Sequence, residues 1–145
     1  MAEARVTVQG PSEGFAQVIT ARQHQLTADE PLTEAGATDT GPSPYELLLS
    51  ALGACTSMTV SMYARRKGWA LQAVRVELKH SKIRTDESPI PIDRIERVVH
   101  FEGDLDGEQR ARLLDIANKC PVHQTLKSTI EISTRAFEAR SAPRA

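Results

Sequence analysis

Two cysteines among 145 residues, Cys55 and Cys120, are too few to frame a domain with disulfides, and a chain of this length builds a core without such staples. Positive charge is in no excess either. With 18 Lys and Arg against 19 Asp and Glu, no broad field exists to hold a polyphosphate, so a nucleic-acid partner is not expected. The opening Met1-Ala2-Glu3-Ala4-Arg5 lacks the basic-then-apolar pattern of an export signal, and no run approaches the ~20 apolar residues of a membrane span. These absences predict a cytoplasmic protein with no membrane partner. They fit one domain over residues 1–138, a frayed tail at 139–145, and a small or neutral ligand.

What is present reads as alternating strands around a long helix. Val6 and Val8, then Phe15, Gln17 and Ile19, flank a Gly10-Pro11-Ser12-Glu13-Gly14 turn as a hairpin, with a third strand through His24 and Leu26. Residues 28–44 have no apolar period and form a long loop of the kind that often carries function. Ser43-Pro44-Tyr45-Glu46 combines an N-cap, a first-turn proline and a capping-box glutamate, and Arg65-Arg66-Lys67-Gly68 supplies the stop. The helix between them has so much apolar perimeter that burial on most sides is expected. Val74, Val76, Leu78 and His80 form a half-buried strand, and Ile95, Val99 and Phe101 another. A second helix follows from Asp106 to about Lys119, and Ile130, Ile132 and Thr134 make a last strand. The order β-β-β-α-β-β-α-β is that of an α+β domain with mostly antiparallel sheet.

The chemistry in the sequence centres on sulfur. Cys55 lies about three turns inside the long helix, beyond the reach of the helix dipole, so it is either an inert core filler or a thiol activated by some other group. Cys120, in Lys119-Cys120-Pro121-Val122-His123, stands where one helix stops and proline opens a new turn, near free backbone N–H groups. An imidazolium at His123 is placed to hold a negative sulfur there. Cys120 and His123 also have metal-ligand spacing, but two Cys and four His (His24, His80, His100, His123) offer no second close pair, and neither metal nor other cofactor is expected. Gly53 is a close-packing point rather than part of a phosphate loop.

A redox pair accounts for both thiols at once: one attacks a peroxide and becomes a sulfenic acid, and the other condenses with it. A cation beside the first sulfur is then required, and Arg22 and His24 in the N-terminal strands are candidates. Glu46 lies on the far side of the helix from Cys55 at about 100° per residue and is engaged by the cap. Tyr45 is about 80° off the Cys55 face, within reach of a pocket mouth.

The stretch Gly41-Pro42-Ser43-Pro44-Tyr45-Glu46-Leu47-Leu48-Leu49-Ser50-Ala51-Leu52-Gly53-Ala54-Cys55-Thr56-Ser57-Met58 strongly resembles the OsmC/Ohr family of thiol-dependent peroxidases, and Cys120-Pro121-Val122-His123-Gln124-Thr125-Leu126 matches that family's second cysteine motif. The resemblance implies an OsmC-like fold, with antiparallel sheet wrapped on a long central helix in an intertwined homodimer. It implies that Cys55 is the peroxidatic cysteine, Cys120 the resolving one and Arg22 the accompanying cation, and that Tyr45, Leu52, His24 and His123 bind substrate. Organic hydroperoxides are the implied substrates, and a thiol reductant, in the best-studied branch a lipoylated protein, is the implied partner. One departure stands out: where the hydroperoxide-resistance branch carries a glutamate after the helix-opening proline, this chain has Tyr45. The arginine-orienting acid is then missing or supplied elsewhere, with Asp29 and Glu30 as candidates. Against the enzyme stand two alternatives, a hydrophobic-ligand-binding or redox-sensing dimer and a structural dimer with inert thiols.

Overall fold

A computed structural model describes residues 3–138; the expected tail at 139–145 lies outside them. Eight elements follow in the order β1 (Thr7–Gln9), β2 (Gln17–Ala21), β3 (His24–Ala28), α1 (Pro44–Lys67), β4 (Ala70–Ile83), β5 (Ile92–Asp104), α2 (Gly107–Ala117) and α3 (Pro121–Lys127). They form two antiparallel sheets, β1-β2-β3 and β4-β5. The class is α+β, as the alternating patterns require.

The bounds of α1 follow from its local chemistry. Ser43 accepts the Glu46 N–H at 3.3 Å while the Glu46 carboxylate accepts the Ser43 N–H at 3.0 Å, and Pro44 occupies the first turn. At the other end Gly68 takes the left-handed conformation, φ 71°, after three cationic residues. One flank of α1 lies on β4. Gly53 makes this possible, because a Cβ there would come within 2.8 Å of Leu78 Cδ1.

In the β4–β5 hairpin Val74 pairs with Phe101, Val76 with Val99, Leu78 with Arg97 and His80 with Ile95. Side chains alternate across a sheet, so these pairs share the face turned toward α1. The core gathers below that face: Val60 and Ala64 of α1 pack with Leu105, Leu113, Ile116 and Ala117. Leu113 and Val60 are fully buried, each stabilising the fold by about 1.5–3 kcal/mol relative to exposure.

Three expectations fail. The segment Ile130–Thr134 is no strand: its alternation is correct, but a strand needs a second backbone to bond, and this one finds none among the described residues. Ile132 is 83% exposed and Phe137 93%. The second difference is that α1 is buried along one side only, through Leu52, Gly53, Thr56, Val60 and Ala64, whereas Met58 is 71% exposed and Met62 52%. Third, the most apolar 18-residue window of α1 has a mean hydropathy of 1.4, enough by length and composition alone to cross a bilayer, where the sequence reading saw no such run. The β1–β3 sheet, with Val8, Ile19 and Leu26 aligned across it, stands off the body.

Candidate active site

Cys120 caps α3. Pro121 forces the residue before it out of the helical region, so Cys120 sits at φ −64°, ψ 144° with its sulfur turned onto the new turn, where it accepts the His123 N–H at 3.3 Å. The sulfur is fully buried, and its other polar neighbour is the hydroxyl of Thr56 at 3.8 Å. Thr56, also fully buried, follows Cys55 on α1, so the second cysteine docks on the helical turn that carries the first. Both thiols are free, and Cys55 is half-buried.

The cation in this cluster is Arg97. Its Nη1 donates to Thr56 Oγ1 at 2.9 Å, and Nη2 donates to Asn118 Oδ1 at 2.9 Å and to His123 Nδ1 at 3.0 Å. A guanidinium has donors only, so Nδ1 must offer a lone pair and the imidazole proton resides on Nε2. Burial, with Arg97 and Lys127 adding repulsion, pushes the His123 pKa below its ordinary value. The imidazolium expected beside the sulfur is therefore replaced by a neutral ring. His123 reaches Cys120 through its backbone, and Arg97 supplies the charge.

Arg97 escaped the sequence reading, although a signal was there. It falls in phase with Ile95, Val99 and Phe101 on the face turned inward, where an arginine interrupts an apolar row. His80 does the same on β4. The expected cations lie elsewhere in this chain. Arg22 is exposed at φ 55° in the turn between β2 and β3, and His24 is exposed at the start of β3; neither reaches the Cys120 cluster.

A groove of about 870 Å³ opens beside the cluster. Tyr45, Leu48 and Leu52 of α1 form one wall, with His80, Arg97 and His123 facing them. Ile83, Ile95 and Leu126 add apolar surface. Cys55 follows Leu48 by seven residues and Leu52 by three, about 20° and 60° around the helix, so it leaves α1 in a direction close to theirs, although it is not itself among the residues that line the groove. Tyr45 takes the position of the absent glutamate. Its ring stacks on His80 with centroids 4.5 Å apart. His80 in turn bonds Asp93 at 2.8 Å, and that bond, with Lys82 at 3.0 Å, holds the Asp93 carboxyl below its usual range. Asp93 is the carboxylate in the groove wall.

Asp29 is otherwise engaged. It is buried and accepts from the Thr38 and Thr40 hydroxyls at 2.5 and 2.8 Å and from the Glu30 and Thr40 N–H groups, pinning the loop that leads into α1. The Thr38 hydroxyl first of all, then these N–H groups, hold its carboxyl far below the usual range against the opposing effect of burial. A depressed carboxylate stabilises the fold above the unfolded pKa, near 4, and ceases to do so as pH falls through the folded value. Asp29→Asn is therefore expected to lower the thermal midpoint at pH 7, with the gap narrowing well below about pH 4. Equal midpoints at pH 7 would contradict this role.

The OsmC-like protein family model matches residues 36–135, which span both cysteines. This chain belongs to the OsmC-like family. No curated protein sequence matches it significantly. Among solved structures it is similar to an OsmC-like protein from Mycoplasma pneumoniae (TM-score 0.72, 21% identity, covering 87% of this chain and 88% of that one). It is also similar to the organic hydroperoxide resistance protein OhrB of Bacillus subtilis (0.63, 22%, 87% and 91%) and to an organic hydroperoxide resistance protein OsmC from Legionella pneumophila (0.65, 18%, 88% and 90%). At these identities the likeness establishes the OsmC-like fold.

Proposed function

We propose that this protein is a thiol-dependent peroxidase for organic hydroperoxides, acting as a homodimer in the cytoplasm. The observation that carries the reading is the docking of buried Cys120, through Thr56, on the α1 turn that bears Cys55, with the Arg97 guanidinium beside it. A second cysteine docked on the residue that follows the first, sixty-five positions away in sequence and with a cation beside it, suits a two-thiol redox cycle better than core filling.

The steps balance as follows. The Cys55 thiolate attacks the terminal peroxide oxygen; the S–O bond forms, the O–O bond breaks, and the alkoxide takes a proton to leave as an alcohol. Sulfur is oxidised by two electrons and the peroxide is reduced. Cys120 as thiolate then attacks the sulfenic sulfur, the S–S bond forms, and hydroxide departs and is protonated to water. A dithiol, such as a lipoyl group on a partner protein, restores both thiols. The apolar walls of the groove receive the alkyl part of the substrate, with Tyr45, Leu52 and His123 along its path.

A second copy completes the site in this reading. Support comes from the exposed apolar side of α1 next to Cys55, the exposed Val8, Val18 and Leu26 of the β1–β3 sheet, and the strand-like segment at 130–134, unpaired among the described residues. Arg22 and His24, which hydrogen-bond to neither cysteine in the described chain, would then serve the partner's site. The groove also supports one competing reading, a carrier of hydrophobic ligands whose thiols only sense oxidation. Consumption of cumene hydroperoxide with a dithiol reductant separates the two: the peroxidase outpaces a free thiol many-fold. The carrier matches the free thiol, yet its thermal midpoint rises with an apolar ligand.

A further inference from the structure

We infer that Arg97 is a positioning residue for the resolving step, acting on Cys120 through the hydroxyl of Thr56. This rests on the reading in which Cys120 resolves the sulfenic acid. Arg97 is half-buried and spends its donors on three neutral acceptors, Thr56, Asn118 and His123; among the described residues no carboxylate hydrogen-bonds to it. A half-buried guanidinium with no carboxylate partner favours an anion forming beside it. The anion that can form here is the Cys120 thiolate.

Thr56 has one proton and two lone pairs for three neighbours: the Leu52 carbonyl at 2.7 Å, Arg97 Nη1 at 2.9 Å and Cys120 Sγ at 3.8 Å. Arg97 fills one lone pair whatever the state of the sulfur. With Cys120 a thiol, its S–H takes the other lone pair and the hydroxyl proton goes to Leu52. Once the sulfur is ionised, the hydroxyl turns and donates to it, while the Leu52 carbonyl keeps its bond within the helix. The His123 N–H serves the sulfur in both states. The guanidinium polarises the turning hydroxyl and places a positive charge one group away, so Arg97 and Thr56 act as a unit. The other titratable or charged side chains nearby are Cys55 on α1, Lys119 before Cys120, His123 and Lys127 on α3, and, on β4 and β5, His80, Asp93, Arg94 and Glu96.

Two measurements test this. In a Cys55→Ser background, the rate at which iodoacetamide labels Cys120 is followed against pH. Arg97→Met is expected to move the profile to higher pH, cutting thiolate labelling at neutral pH about tenfold for each unit moved, whereas Arg97→Lys keeps most of it. Thr56→Val reproduces the shift, Thr56→Ser does not, and Arg97→Met adds little on top of Thr56→Val. Superimposable profiles for Arg97→Met and its parent, or full additivity with Thr56→Val, overturn the inference. With both cysteines present, one equivalent of cumene hydroperoxide is added and the decay of the sulfenic acid into disulfide is timed by mass. Closure in Arg97→Met is expected to slow about tenfold near neutral pH and to recover as pH rises. A slowing that no pH relieves means displaced sulfur and overturns the inference. Absence of both sulfenic acid and disulfide in the parent protein overturns the peroxidase reading instead, and leaves the labelling profile to judge Arg97 by itself.

Discussion

Replacing Cys55 with serine is expected to abolish hydroperoxide consumption, because the reaction needs a thiolate and a serine hydroxyl does not ionise near neutral pH. Serine is nearly isosteric, and Cys55 is only half-buried, so the fold should persist. Cys120→Ser behaves differently. The first oxidation still proceeds, so about one equivalent of peroxide per chain disappears, and turnover then stalls with Cys55 as sulfenic acid, advancing to sulfinic acid under excess peroxide. A stopped-flow trace of cumene hydroperoxide loss distinguishes the two variants. Continued turnover in Cys55→Ser, or steady turnover in Cys120→Ser without added thiol, contradicts the assigned roles.

A second large effect is expected from Met62→Glu. Met62 lies two helical turns beyond Cys55 on the same side of α1, and its side chain is 52% exposed in the single chain. A charge there costs the isolated fold little, since water already reaches the position. If a second copy covers this face, the same carboxylate must be desolvated without a partner, at a cost of several kcal/mol. Met62→Glu is therefore expected to elute as a monomer with unchanged thermal unfolding of secondary structure, and to lose peroxidase turnover because the site is left uncovered. A dimer of parent affinity, or a monomer with full activity, removes the second copy from the account.

Local chemistry made much of this molecule legible. The capping box at Ser43, the proline after it and the glycine at 68 define α1 at both ends, and Gly53 was readable as a contact point because a helix rarely carries a lone glycine without a reason to approach something. The β4–β5 hairpin followed from period-two alternation. What escaped was either long-range or masked by type. Arg97 is hidden in the sequence because a charged residue on a strand is ordinarily solvated, and only the pairing of Leu78 with Arg97 reveals that the arginine faces the helix. His123 was read as a charged ring because its distant neighbour was invisible. Ile130 and Ile132 alternate as a strand should, yet pairing belongs to the surface that receives a strand, and none pairs with this segment among the described residues.

The central claim is that Cys55 and Cys120 work as one redox pair. The most direct measurement is peptide-mapped mass spectrometry of the intact protein after one equivalent of cumene hydroperoxide per chain. The account predicts loss of two hydrogens and a single linked peptide joining Cys55 to Cys120, reversed by a dithiol. Oxygen retained on either sulfur with no linked peptide, or both thiols left free, would contradict it.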